Sequence, residues 1–422
     1  MKNIKAYIAM LLIATIIFGA VGCRKSSAET TVKAADLMNG ISPNNVSGSP
    51  ADNTFIANMA DFSLKLFKES ITDKQNSLIS PLSVMLALAM TANGAGGETL
   101  AQMESLLGGG IPIDKLNGYL YSYANGLPSG EKSKLDIANS IWFRDNYESF
   151  QVSPDFLQKN ADYYNAAVYS SAFDEQTVKD INNWVKSRTD GMIDEILEGD
   201  IPLEVVLYLI NAIAFDAEWQ SVYYKENMQN GSFTNIDGTR RNVGFMHSRE
   251  SLYLDDGFAT GFIKPYVDGY SFAALLPNAD ISIEEYIDML TGATFLETLN
   301  CAQITDVESY LPKFEYDYTL KMNDALIALG ITDAFDMYGA DFSKMETAQE
   351  SFLYIDEVLH KAYIRVDELG TKAGAATLVV MESGASMPPS DIKTVRLDRP
   401  FIFAIIDNAT NIPIFIGTLM TV

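Results

Sequence analysis

The chain has 422 residues, 48% of them hydrophobic and 20% charged, the usage of a folded globular protein and not of a disordered or many-span membrane chain. Lys and Arg number 30 against 55 Asp and Glu, a net charge of −25 that repels nucleic acid and anionic lipid and sets nucleic-acid binding aside. With 2 Cys and 2 His, stability has to come from packing without disulfides, and metal sites are poorly supplied.

Residues 1–22 read as a secretion signal: Lys2 and Lys5 form a basic start, and Ile8 to Phe18 are apolar apart from Thr15, too short for a stable span. The segment ends in Ala20-Val21-Gly22-Cys23, which resembles a bacterial lipoprotein cleavage box with Ala20 where Leu is usual. Cys23 is expected to carry the lipid and hold the chain on the extracellular face of the envelope, which leaves Cys301 without an intramolecular partner. From Arg24 to Asn53 the residues are small and polar with little apolar periodicity, so residues 23–53 read as a lipidated N-terminus and flexible tether. No linker or repeat interrupts the chain from Thr54 onward, and residues 54–422 read as one domain.

Within that domain Phe55, Met59, Phe62, Leu66 and Phe67 make a helical stripe over Phe55 to Glu69. Ser83 to Met90 is apolar on nearly every side and predicts a buried helix, stopped by the glycines of Asn93 to Gly97. A further helix is predicted over Ile181 to Leu197 from Trp184, Val185, Ile193 and Ile196. Leu135 to Phe143, Leu207 to Trp219, Tyr270 to Pro277 and Phe401 to Asp407 are long β-branched and aromatic runs, read as buried strands. Early helices with strands throughout predict an α+β fold with large sheets.

Enzyme readings find little support. His247 and His360 are the only histidines, and no His-Glu-x-x-His, Cys-x-x-Cys, Gly-x-Gly-x-x-Gly or phosphate-loop pattern occurs. Ser390-Asp391-Ile392-Lys393 matches the Ser-x-x-Lys of penicillin-binding acyltransferases, but it follows Pro388-Pro389 and precedes an extended stretch, where that motif needs a helix. Asn230-Gly231-Ser232 and Asn408-Ala409-Thr410 fit a glycosylation acceptor that a bacterial lipoprotein would not use. The chain is read as no enzyme, with no catalytic residue, metal or cofactor.

The stretch after His360 carries more. Beyond Glu368 and Gly370 come Thr371, Lys372, Ala373, Gly374, Ala375, Ala376 and Thr377, side chains too small to anchor a loop. No proline stands between Thr371 and Met387, so nothing prevents this loop from joining a sheet. As a strand it would place Thr371, Ala373, Ala375, Thr377, Val379 and Met381 on one uncharged face, with Lys372 and Glu382 opposite.

This window resembles the hinge and reactive loop of the serpins. Asn76 to Met103, with Ser80-Pro81-x-Ser83, resembles the family's early buried helix, and Leu207 to Trp219 its central strand carrying Asn211. Tyr310 to Ile331 and Asp398 to Val422 resemble its later strand-helix segment and C-terminal hairpin, so the likeness runs in order from Asn53 to Val422. The resemblance implies three sheets, about nine helices, an exposed reactive-centre loop and a metastable monomer. It implies suicide inhibition of a serine protease, with a papain-like cysteine protease as second candidate target. Ser80, Ser83, Asn211 and His360 would hold the main sheet shut from beneath, and Trp219 would mark its top, where insertion begins. Family spacing puts the reactive bond at Gly384–Ala385, between Ser383 and Ser386, within a window reaching Met387; small residues there suit subtilisin-like or elastase-like clefts. The alternative is a non-inhibitory serpin acting as a surface binding or scaffold module.

Overall fold

Local sequence accounts for most helix ends. The computed structural model describes residues 32–72, 74–145, 151–347, 353–371 and 392–422, and Val32–Val422 form one unit. Its helices are α1 (Asn53–Glu69), α2 (Pro81–Ala92), α3 (Gly97–Gly108), α4 (Ile113–Gly126), α5 (Pro154–Tyr164), α6 (Glu175–Arg188), α7 (Ile283–Met289), α8 (Gly292–Asn300) and α9 (Asn323–Ala328). Asp52 caps α1 by accepting the Phe55 N–H, satisfying one of the donors that a helix start leaves open. Every residue of α2 is buried, and Pro81 at its first turn has no N–H to lose there. The predicted Ile181–Leu197 helix is shorter than expected: α6 ends at Arg188 because Asp190 (φ 51) and Gly191 (φ +72) turn left-handed. Ile193, Ile196 and Leu197 are buried all the same, as irregular chain.

The strands join into two sheets. The seven-stranded one has the order β1 (Ala35–Asp36), β4 (Ala167–Ser171), β3 (Ser133–Arg144), β5 (Leu207–Glu218), β13 (Gly370–Thr371), β12 (Glu357–Val366) and β11 (Phe314–Lys321). The nine-stranded one runs β14 (Lys393–Arg396), β10 (Gln303–Pro312), β7 (Arg240–Asp255), β8 (Ala259–Pro265), β9 (Tyr270–Pro277), β15 (Phe401–Asp407), β16 (Pro413–Leu419) and β2 (Ser77–Ile79), with β6 (Met228–Thr234) on β7. Three sheets were expected. Among the described residues the second and third are continuous, because the 16-residue β7 pairs with β6 over Arg240 to Met246, with β10 over Phe245 to Tyr253 and with β8 over Leu252 to Asp255.

Alternation along β5 divides the core. Leu207, Leu209, Ile213, Phe215 and Ala217 face the large cluster shared with α1, α2 and the second sheet, whereas Tyr208, Ile210 and Ala212 face a smaller cluster with Trp184 and Ile181 of α6. Asn211 has the parity of the first set, so it points beneath the sheet toward α2.

The tether expectation changes from residue 32 onward. The Asp180 carboxylate accepts the N–H groups of Lys33 (2.9 Å) and Ala34 (2.7 Å), and β1 pairs with the edge strand β4. Leu37, Met38 and Ile41 pack on the core, and Asn44 donates to Asp162 at 2.7 Å. Three apolar residues are too few to give periodicity, but they suffice where a sheet edge offers the backbone a partner. Asp180→Ala is expected to release this arm, lowering stability by about 1–3 kcal/mol in denaturant unfolding and opening residues 32–44 to limited proteolysis.

Candidate functional site

The predicted polar residues beneath the sheet come together around one histidine. Ser80 caps α2, its Oγ accepting the Ser83 N–H at 3.4 Å, which presents the start of the helix to β5 and β12. Strand pairing sets Asn211 between Asn139 of β3 and His360 of β12. The Ser80 N–H donates to His360 Nε2 at 3.2 Å, and His360 Nδ1 bonds the Asn211 side-chain oxygen. The Asn211 amide donates to Ser83 Oγ and to Asn139 Oδ1, and Asn139 Nδ2 returns to the Ser83 carbonyl at 3.2 Å. One tautomer of neutral His360 satisfies both ring nitrogens: Nδ1 donates while Nε2 accepts from a backbone N–H. Burial holds its pKa down at about 3, as a second ring proton would face the Ser80 N–H with no acceptor.

Asn139 was not singled out from the sequence. It reads there as one polar residue in a buried strand, and only the β3–β5 register sets it against Asn211.

The top of the sheet holds the first residues of the segment that resembles a hinge, Glu368 to Thr371. Asp367 N donates to Gly370 O (3.0 Å), closing a tight turn after β12, and the Asp367 carboxylate accepts the Leu369 N–H at 2.9 Å. Gly370 and Thr371 then pair antiparallel with Glu218 and Ala217 of β5, while Thr371 pairs with Val366 of β12. Gly370 must lack a side chain, because a Cβ would stand 2.0 Å from the Ala217 carbonyl oxygen. Thr371 is buried and bonds the Tyr266 hydroxyl at 2.5 Å.

Trp219 sits against this turn. Its Nε1 donates to Asp367 O (2.8 Å), its backbone N–H to Leu369 O (2.9 Å), and the Tyr223 N–H to Glu368 O (2.9 Å). Its ring stacks on Tyr266 at 4.2 Å, and Glu368 pairs with Lys313 across the turn. Lys313 and Tyr266 are hidden from sequence for the reason that hides Asn139, since they come from distant segments that only the fold assembles, and Asp367, beside Glu368, takes part through a backbone carbonyl that no side-chain pattern marks.

Lys372, Ala373, Gly374, Ala375, Ala376 and Thr377, together with Ser383, Gly384, Ala385, Ser386 and Met387, lie outside the described residues, as do Cys23 and Ser390. Lys393 begins the strand β14, so no Ser-x-x-Lys helix forms around it. His247 pairs with Glu308 and stacks on Tyr310 at 4.7 Å. Among the described residues no group of three His, Cys, Asp or Glu is placed to hold a metal, and no helix is long and apolar enough to cross a membrane.

Since the closed sheet holds His360 neutral, the unfolded chain binds a proton between pH 6.5 and about 3 that the folded chain refuses. The associated stability is complete above pH 6.5 and falls on acidification through that window, by at most about 1.4 kcal/mol per pH unit. His360→Gln should flatten this part of the stability profile when unfolding is measured from pH 7 to pH 4.

The family model described as Serpin (serine protease inhibitor) matches residues 57–422. Serpin B6 of Macaca fascicularis is 31% identical, the match spanning 84% of this chain and 96% of that protein; a serpin-like protein of Thermococcus kodakarensis is 29% identical over 85% and 84%. The solved structure of the thermophilic serpin tengpin in its native state is 58% identical with a TM-score of 0.88, covering 93% of this chain and all of that one. Tengpin in the latent state gives 54% and 0.77, over 90% and 100%. The description of the chain as no enzyme, argued from scarce histidines and missing motifs, is corrected in its ground: a count of absent motifs does not carry it, and what the matches support is the family description of protease inhibitors. With the fold, the hinge and the polar cluster in the family's order across residues 57–422, the chain belongs to the serpin family.

Proposed function

We propose that this serpin inhibits extracellular serine proteases irreversibly, by being cut once. A protease serine adds to the Gly384 carbonyl, Ala385 leaves as the new amino terminus, and the ester to Gly384 is retained while the freed loop enters the seven-stranded sheet. The observation that supports this reading is the pairing of Gly370 and Thr371 with β5 and of Thr371 with β12 as well, a first rung between the two strands at the top of the gap. Below it, β5 and β12 pair directly and in parallel from Glu357↔Tyr208 to Ala362↔Ile213. Insertion exchanges that one parallel ladder for two antiparallel ones, each added hydrogen bond contributing on the order of 1 kcal/mol. The β5–β12 ladder and the His360–Asn211 cluster must open first, so the uncut form is held by a kinetic barrier. Continued from buried Thr371, the alternation turns Ala373, Ala375, Thr377, Val379 and Met381 inward and leaves Lys372 and Glu382 wet.

Small residues around Gly384 favour subtilisin-like or elastase-like targets, since no Arg or Lys stands near enough for a trypsin-like cleft. The signal-like start and Ala20-Val21-Gly22-Cys23 support a lipid anchor at Cys23 and action at the outer face of a bacterial envelope.

The test is to mix the mature protein with subtilisin and with an elastase, then run denaturing gels and mass spectrometry. A covalent complex that survives denaturation, with its cut after Gly384, is expected. Complete cleavage with fully active protease and no complex, across several proteases that prefer small residues, would favour the non-inhibitory binding module instead.

A further inference from the structure

A second charged feature lies directly behind the hinge anchor. Lys264 on β8 is 1% exposed and Glu250 on β7 is 8% exposed, and their side chains pair at 2.8 Å. Ser248 Oγ donates to the same Glu250 oxygen, and it also lies 3.0 Å from Ser309 Oγ. The Lys264 ammonium stands 4.2 Å from the centre of the Tyr223 ring and 5.5 Å from that of Trp219. Phe272 and Tyr266 close the remaining sides of the Trp219 ring, edge-on at 6.0 Å and stacked at 4.2 Å.

Burying an ion pair is costly, and an apolar pair of the same volume often serves stability as well or better. Its placement here shows what the charge can do. Two aromatic faces meet a desolvated cation, and those aromatic residues supply the three hydrogen bonds that grip Asp367, Glu368 and Leu369. One of these bonds comes from the Trp219 ring nitrogen and two from the backbone N–H groups of Trp219 and Tyr223, so turning the Trp219 ring away would lose the Asp367 bond together with cation–π attraction, which a methyl group in place of the ammonium would not supply.

We propose that the buried Lys264–Glu250 pair positions Trp219 and Tyr223 so that the hinge turn keeps Gly370 and Thr371 in register as the first inserted rung, and thereby sets how fast a cut loop enters the sheet. The pair acts through the two aromatic residues. This rests on the loop-insertion reading above and adds to it a determinant of the race between trapping and hydrolysis of the acyl-enzyme.

The full mature chain, its Lys264→Met variant and its Lys264→Met/Glu250→Leu variant are each mixed with an equimolar amount of subtilisin. Insertion is timed by the tryptophan fluorescence change that Trp219→Phe abolishes, and thermal unfolding of the uncut proteins is recorded alongside. Lys264→Met strands a buried carboxylate and is expected to melt earlier, while the double variant removes both charges and should melt close to the parent. In the double variant insertion should nevertheless be slower by about five- to thirtyfold, the scale of one desolvated cation–π contact, with more cleaved inhibitor released per protease trapped. Parental insertion speed in the double variant would overturn the proposal, because the pair would then serve stability alone. A parent that inserts after cutting but forms no covalent complex would sink the inhibitor reading and leave these rates to decide this one; a parent that does not insert overturns both.

Discussion

The fold depends on a ladder that is complete but replaceable. β5 and β12 lie side by side in parallel, and the pair Asn211↔His360 sits within that ladder with side chains tied to each other and to the start of α2. A buried polar network is worth most when every member is satisfied, because an unpaired buried group is expensive. Here His360, Asn211, Ser83, Asn139 and the Ser80 N–H satisfy one another at the seam that must part if another strand is to enter. The network resists opening, yet its geometry depends on the strands only through side chains that could find partners again once the strands have moved apart.

At the upper end of the same seam two residues of a further strand stand between β5 and β12. The turn at Asp367–Gly370 feeds two residues between β5 and β12, and the aromatic group of Trp219, Tyr223 and Tyr266 keeps that turn from slipping. Side-chain size governs how close the strands come: Gly370 passes within van der Waals range of the Ala217 carbonyl, which no larger residue could do without shifting backbone. The middle of the seam is thus closed by β5 and β12 themselves, while at its top a third strand separates them.

The N-terminal arm and the second sheet frame this seam. Docking of residues 33–49 on β4, α6, α5 and α4 extends the seven-stranded sheet at the edge away from β12. The nine-stranded sheet and α1 close the underside with a continuous apolar core.

Much was legible in the chain by itself. The buried run of α2 and the alternating or continuous apolar runs of β3, β5, β9 and β15 follow from local periodicity and side-chain size, and Ser80, Ser83, Asn211, Trp219 and His360 were reached only through the resemblance to the serpins, while the residues from Lys372 to Asp391 lie outside those described. Local pattern could not supply what depends on register between distant strands. Asn139 joins the polar cluster only because β3 pairs with β5 as it does, and Lys264 meets Glu250 only because β8 and β7 are neighbours. The arm's docking and the early end of α6 were hidden for related reasons: an exposed sheet edge and a left-handed turn at Asp190–Gly191 outweighed the composition of one segment and the apolar spacing of the other. Periodicity records which face of an element is apolar, whereas the partner that face meets is decided by the folded chain as a whole.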